Sequence, residues 1–275
     1  MVRCAYRRND VSNVEERAER NLPGLRQWVN RLTTLANEMI ANIQYSEEDH
    51  LGFMALCFLS KQIDHMQSIV TLIPRRDAIL VARSMIEGLL QLLWAAREPT
   101  TRPLQWRAFA YVHDWRVMQT KMTRGETVTP ECHSVIDNAL QKYGDQFLTK
   151  KAREARTQQT PLPPDPYYDN WRCGFQLRQI CESVGGADLY RSLYEPFSDW
   201  QHWGVRGFGE AIGRQGHRVV YLSLSSSDSA AALACGFQCL LQTAELTDKH
   251  LSIGLASKIS DLHKEYIAWH QAQRN

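Results

Sequence analysis

The sequence predicts an all-α protein, a single helical-bundle domain spanning residues 1–275 with about seven to nine helices. A loose N-terminal tail at 1–11 and a proline-rich loop at 157–170 are expected to interrupt it. Three observations carry this expectation. Apolar residues recur at three- and four-residue steps, as in Leu22, Leu25, Trp28, Val29, Leu32, Leu35, Ala36 and Met39. Start and stop residues divide these windows. One stretch, Ala78–Arg97 (AILVARSMIEGLLQLLWAAR), is apolar on nearly every side of a helical wheel, the pattern of a helix enclosed by others.

Composition narrows the class. Hydrophobic residues make up 44% and charged residues 23% of the 275, which is ordinary for a folded domain. A formal charge of +2 gives no global drive toward nucleic acid or acidic membranes, though it leaves room for a local basic patch. The cysteines Cys4, Cys57, Cys132, Cys173, Cys181, Cys235 and Cys239 are scattered, odd in number and without a C-x-x-C pair. That argues for reduced thiols and against a disulfide framework or a zinc site. The opening MVRCAYRRND lacks the apolar core of a signal peptide. Arg83 and Glu87 sit inside the only membrane-length apolar run. A cytoplasmic, bacterial protein with no membrane partner is the expectation.

Taken in order, the first helix covers about Ser12–Tyr45, with Pro23 as a kink or restart. Ser46-Glu47-Glu48-Asp49 reads as a capping box opening a second helix, which Pro74 ends. The apolar Ala78–Arg97 helix follows. Leu104 to about Met122 is helical and aromatic-rich. Thr129-Pro130 starts a helix expected to run to about Arg156, where Lys150, Lys151, Arg153 and Arg156 form a solvated face. The four prolines of TQQTPLPPDPYYDN exclude regular structure there. A short helix at Phe175–Val184 and a Gly185-Gly186 turn precede ADLYRSLYEPFSDWQHWG, in which Pro196 suggests a break. Glycines from 204 to 216 predict a loop, and His217–Leu224 a short extended piece. Ser227 or Asp228 is expected to cap a final pair of helices, about 229–250 and 254–272.

Two segments carry candidate chemistry. Arg83, Glu87 and Gln91 are spaced four apart and share one stripe of the apolar helix. Tyr190, Tyr194, Ser198 and His202 have the same spacing, with Ser198 and His202 the pair most securely aligned if Pro196 breaks the helix. An arginine, a carboxylate and a histidine that converge could bind a phosphate and move a proton. On spacing alone a structural ion pair and a buried polar cluster explain the same residues, and that explanation is favoured. Glu47-x-x-His50, and more loosely Asp199-x-x-His202, fit half of a di-metal motif, but the capping box accounts for Glu47 and no metal or other cofactor is expected. No nucleotide-loop or hydrolase motif occurs.

The pattern R-x-x-x-E in AILVARSMIEGLLQLLW, followed by Y-x-x-x-S-x-x-x-H in LYRSLYEPFSDWQHWG, resembles an uncharacterised bacterial helical family, one of the numbered domains of unknown function. The resemblance covers about residues 45 to 250 and falls on Arg83, Glu87, Tyr194, Ser198 and His202. More distantly the arrangement resembles HEPN domains. These are helical bundles that often dimerise, many of them ribonucleases of toxin–antitoxin and phage-defence systems, others binders of nucleotides or partners. Active members carry R-x(4–6)-H. Here Arg191 lies too far from His202, and the one literal match, Arg107 to His113, is fewer than the roughly two expected by chance among 24 arginines and 9 histidines.

Two readings therefore stay open. In the first, the chain is an HEPN-like effector that binds RNA or a nucleotide and acts as a metal-independent endoribonuclease, alone or with an antitoxin or other partner protein. Catalysis would fall to Arg83, Glu87 and His202, and binding to Tyr190, Tyr194, Ser198 and Gln91, with Arg107 and His113 as the weaker alternative. In the second, it is a non-catalytic homodimeric helical module whose Arg/Glu/His cluster is structural.

Overall fold

The computed structural model describes residues 8–202, 204, 211–215 and 218–273. Among the described residues the chain is all-α apart from one β-hairpin. It forms two compact units, Met1–Leu93 with Cys181–Asn275, and Trp94–Ile180. Most of the expected N-terminal tail and much of the glycine-rich stretch lie outside the described residues.

The first unit is built on long helices. α1 (Arg8–Asn42) is 35 residues long and carries Pro23 inside it, so the proline marks no restart. α2 (His50–Leu72) begins later than the capping box predicts. Ser46 closes only a local turn, its Oγ accepting from the Glu48 N–H at 3.3 Å. The N-cap is Asp49, whose Oδ1 accepts from the Gly52 N–H at 2.9 Å and whose two oxygens meet His250 Nε2 at 2.9 and 3.0 Å. A carboxylate caps as well as a hydroxyl and can also take a long-range partner, so the later start wins.

α3 (Ala78–Ala96) is the apolar helix, and Ala82, Met85, Ile86, Leu89 and Leu90 on it are buried. It is the one helix among the described residues long and apolar enough to cross a membrane, and 56% of its apolar window is buried within the protein. Gln62 of α2 fastens to it, with Nε2 donating to the Met85 carbonyl at 2.9 Å.

In the second unit, α4 (Arg102–Ala108) and α5 (Ala110–Thr123) replace the single helix expected from Leu104 to Met122, the chain stepping at Phe109. Phe109 is buried and meets the Phe147 ring edge-on at 5.3 Å. α6 (Pro130–Tyr143) starts where Thr129-Pro130 predicts, with Thr129 Oγ1 accepting from the Cys132 N–H at 3.3 Å. It does not continue to Arg156. A 3₁₀ turn at Gly144–Phe147 buries Phe147, and Thr149 caps a separate α7 (Lys150–Thr157), on which Lys150, Lys151, Arg153 and Arg156 are exposed. The proline-rich loop opens on a turn with Gln159 at φ +53°, holds no helix or strand beyond a bridge at Tyr167, and is pinned. Thr149 N–H donates to the Pro166 carbonyl at 2.8 Å, Tyr168 N–H to Phe147 at 2.9 Å, and Arg116 to Asp165 Oδ2 at 2.8 Å and the Tyr168 carbonyl at 3.0 Å.

α8 (Leu177–Ser183) leads to the Gly185-Gly186 turn, where Gly185 has φ +78°. α9 (Ala187–Leu189), a π turn (Tyr190–Tyr194) and α10 (Glu195–Gln201) then make one continuous helical run. Pro196 does not break it. Proline lacks an N–H, and it stands directly after the π turn, where the Glu195 N–H reaches back to the Tyr190 carbonyl and the regular α-helical ladder is already interrupted.

β1 (Ile212–Gln215) and β2 (Arg218–Tyr221) pair antiparallel, so part of the stretch read as a glycine loop is a strand. α11 (Ser226–Leu251) packs against α1 and α2, and α12 (Ala256–Ala272) lies along α11. Gly236 lets α2 approach, since a Cβ there would sit 2.9 Å from Met66 Sδ. Phe237 stacks on Tyr266 at 4.0 Å, and burial pushes the Tyr266 phenol up to about 12.

The α11 cap is Ser225, two or three residues before the expected Ser227 or Asp228, with Oγ accepting from the Asp228 N–H at 3.1 Å. It wins because Glu15 of α1 completes the helix start. The Glu15 carboxylate accepts from the Ser226 N–H at 2.8 Å and from the hydroxyls of Ser225 and Ser227 at 2.9 and 2.6 Å.

Burial pulls the Glu15 pKa up, but those hydrogen bonds outweigh it and hold the group below its ordinary value of 4.5. Asp49 is likewise held below 3.8, where burial is outweighed by the Gly52 N–H and by His250. For carboxylates with depressed folded values, the stabilisation is complete above the unfolded pKa and is lost as pH falls through the folded one. Thermal stability should therefore decline below about pH 4.5. Glu15→Gln should lower stability at neutral pH by about 1 kcal/mol and flatten the acid decline. Thermal melts across pH measure both, and an unchanged acid slope in the variant would refute the assignment.

Candidate functional site

The apolar character of α3 determines the site. Arg83 lies between buried Ala82 and Met85 and needs acceptors that α3 itself supplies only at Glu87. The helical run 187–201 provides them. Arg83 Nε donates to Ser198 Oγ at 2.8 Å, and Nη2 donates to the Tyr194 hydroxyl at 2.6 Å. Nη1 stands 4.0 Å from Glu87 Oε2, and the side chains of Arg83 and Glu87 are 13% and 32% exposed. Gln91 Nε2 extends the stripe to Glu87 Oε1 at 3.4 Å. The predicted R-x-x-x-E stripe and two members of the tyrosine–serine series thus meet across more than a hundred residues.

The π turn sets the tyrosines. In a regular α-helix, residues four apart drift about 40° around the axis. The wider i→i+5 turn rotates less per residue and offsets that drift. Tyr190 and Tyr194 accordingly stack, with centroids 4.9 Å apart and planes 20° from parallel. The Arg83 guanidinium carbon is 4.6 Å from the centre of the Tyr194 ring. Burial raises the Tyr194 phenol, and the Glu87 charge adds to the rise, while Arg83 and Ser198 pull it back. The net direction is upward, so this hydroxyl stays neutral at physiological pH. Close below, Gly186 admits the Leu90 side chain, which would lie 2.8 Å from a Cβ there.

His202 is placed differently. It caps α10, its backbone N–H donating to the Ser198 carbonyl at 2.9 Å. The residue is exposed, and among the described residues no hydrogen bond holds its imidazole. Arg107 and His113 lie in the other unit and are both exposed, with His113 edge-on to Phe109 at 4.8 Å. Among the described residues no group of three His, Cys, Asp or Glu side chains is arranged to hold a metal ion. Cys235 and Cys239 are buried, free core residues of α11, the Cys239 thiol pushed up by its hydrogen bond with the Cys235 thiol and by burial.

Sequence reasoning missed a second network. Arg76 is buried, donates from Nε to the Leu222 carbonyl at 2.9 Å, and pairs with Asp228. Burial raises the Asp228 carboxyl, with Arg76 opposing. The Arg75-Arg76-Asp77 and Ser-Ser-Ser-Asp runs were its only local signals.

The fold and this cluster define an all-helical protein in which an arginine-centred polar site joins a buried helix to a tyrosine-bearing one. The chain belongs to DUF5677, a family of unknown function whose model matches residues 52–218 and so includes every residue of the cluster. No curated protein and no solved structure matches it.

Arg83→Met should leave the Tyr194 and Ser198 hydroxyls without their charged donor and cost about 1.5–3 kcal/mol. Tyr194→Phe and Ser198→Ala should each cost less, and neither should add fully to Arg83→Met. Denaturant unfolding of the single and double variants gives the coupling, and full additivity would show the three side chains to be independent.

Proposed function

We infer that the chain is an HEPN-like helical protein that binds RNA or a nucleotide through the Arg83 cluster. The observation that carries this reading is the company Arg83 keeps. Two neutral hydroxyls orient its guanidinium, and its one carboxylate neighbour stands 4.0 Å away, so the positive charge is aimed rather than quenched. Beside it, the stacked Tyr190–Tyr194 pair offers the aromatic surface on which unpaired bases stack. If the site also cleaves RNA, exposed His202 at the end of the same helical run is the candidate general acid or base, with Arg83 stabilising phosphorane charge.

A second reading is favoured by a separate observation. All three guanidinium nitrogens of Arg83 already face protein groups, and His202 gives the cluster only its backbone N–H. The cluster would then be a structural clamp in a non-catalytic, dimeric module that docks an antitoxin or other partner.

Titration of labelled single-stranded RNA and of nucleotides separates the readings. The binding reading expects Tyr190→Ala to weaken RNA binding roughly tenfold through lost stacking while leaving the melting temperature near that of the wild type. His202→Ala should spare binding and abolish any cleavage. If Arg83→Ala only lowers the melting temperature, and the wild type binds and degrades no RNA, the clamp reading replaces it.

A further inference from the structure

Arg83 and Glu87 stand one turn apart on α3, where an arginine and a glutamate would ordinarily close into an ion pair. Here they do not close. Ser198 Oγ and the Tyr194 hydroxyl hold Nε and Nη2 at 2.8 and 2.6 Å, and Nη1 is left 4.0 Å from Glu87 Oε2, outside hydrogen-bond range. The other oxygen, Oε1, takes only the long contact from Gln91 Nε2 at 3.4 Å. Among the described residues no other donor reaches this carboxylate, whose side chain is 32% exposed. A carboxylate only accepts, and its two oxygens have room for about four hydrogen bonds. Most of that capacity at Glu87 is unspent.

The open pair constrains what the cluster can bind. A phosphate that reaches Nη1 comes within a few ångströms of Glu87, and two anions so close repel unless a hydrogen donor lies between them. A ligand that fits must therefore carry a donor close beside its anionic group. A base edge meets this poorly, because the sugar separates the base from its phosphate and the Tyr190–Tyr194 stack is the surface offered to the base. The 2′-hydroxyl of ribose meets it well. It sits on the ring carbon next to the one bearing the 3′-phosphate, and it donates as well as accepts. A deoxyribose brings no such donor and would leave Glu87 facing the phosphate bare.

We propose that Glu87 reads the sugar: its carboxylate accepts the 2′-hydroxyl of the nucleotide whose phosphodiester lies on Arg83, and so selects RNA over DNA. This rests on the RNA-binding reading of the same cluster and gives Glu87 a specificity role within it. Carboxylates hold ribose hydroxyls in the same way at dinucleotide sites. Hydrogen bonds to a charged group are among the stronger ones, and loss of this one should change affinity roughly tenfold. Toward DNA the same carboxylate only repels, so its removal should spare or improve binding there.

The test is fluorescence anisotropy of a short labelled oligouridylate, and of the oligodeoxyuridylate of the same length, on the full chain. The wild type should bind the ribo form roughly tenfold more tightly. Glu87→Ala should bring the two affinities together, with a melting temperature near that of the wild type. Glu87→Gln, which keeps a neutral acceptor at the same place, should retain part of the preference. Tyr190→Ala should weaken both forms alike and leave their ratio unchanged. If the wild type binds both forms equally, while Arg83→Lys and Tyr190→Ala weaken both, this proposal falls and the cluster reading stands. A ribo preference that survives Glu87→Ala, or one that follows the base rather than the sugar when cytidylates replace uridylates, also overturns the proposal and leaves the cluster reading in place. Binding that Arg83→Lys and Tyr190→Ala leave intact, or no binding by the wild type, overturns both.

Discussion

A guanidinium on a helix that is otherwise apolar must find acceptors on another segment or leave the interior. Arg83 is that group, and much of the first unit follows from how its requirement is met. α3 can offer it Glu87 one turn on, at 4.0 Å, which leaves its Nε and Nη2 donors to be satisfied from outside. The helical run 187–201 supplies Ser198 and Tyr194. To lie there it must turn tightly after α8, which Gly185 allows by its positive φ and Gly186 by letting Leu90 close against its backbone. The π turn then brings Tyr190 into stacking contact with Tyr194. Turn, bulge and acceptors serve one charge.

The start of α3 repeats the logic with different chemistry. Arg76 is buried and meets a carboxylate, Asp228, at the first turn of α11, where negative charge is favoured by the helix dipole. Glu15 adds a second carboxylate at the same helix end, so α1, α3, α11 and the base of the hairpin share one polar junction. This junction satisfies its cation with an anion and is closed. The Arg83 cluster satisfies its cation mainly with neutral hydroxyls.

What the sequence made legible divides along locality. The helical periods, the Thr129-Pro130 start and the four-residue stripe of Arg83, Glu87 and Gln91 depend on neighbours in sequence, and the structure has them. The meeting of that stripe with Tyr194 and Ser198 spans more than a hundred residues and was legible on another ground, since a buried charge demands some partner. The misplacements were decided at long range. Asp49 displaces Ser46 as a cap because His250, some 200 residues away, also holds it. Ser225 displaces Ser227 because Glu15 reaches across from α1. α6 stops short of Arg156 because burying Phe147 in a 3₁₀ turn and pairing Leu148 with Tyr167 outweigh continuation of a helical pattern. The placement of the His202 side chain was beyond spacing for the same reason, since four-residue periodicity holds only while the helix lasts, and the run ends at Gln201.

The contrast between the two arginines bears on function. A phosphate approaching Arg76 would have to displace a buried carboxylate and leave it unpaired, which is costly. At Arg83 the competitors are a phenol kept neutral by burial and a serine hydroxyl, whereas a phosphate would meet the guanidinium with a full opposite charge and a bidentate geometry that neither hydroxyl offers. Ser198 and Tyr194 could yield one N–H each and still hydrogen-bond the incoming oxygens, because a hydroxyl can turn from acceptor to donor. A cation fastened by carboxylates is spent on the fold. One fastened by hydroxyls stays available to an anion, and this is the physical difference on which the proposed binding role of Arg83, rather than Arg76, rests.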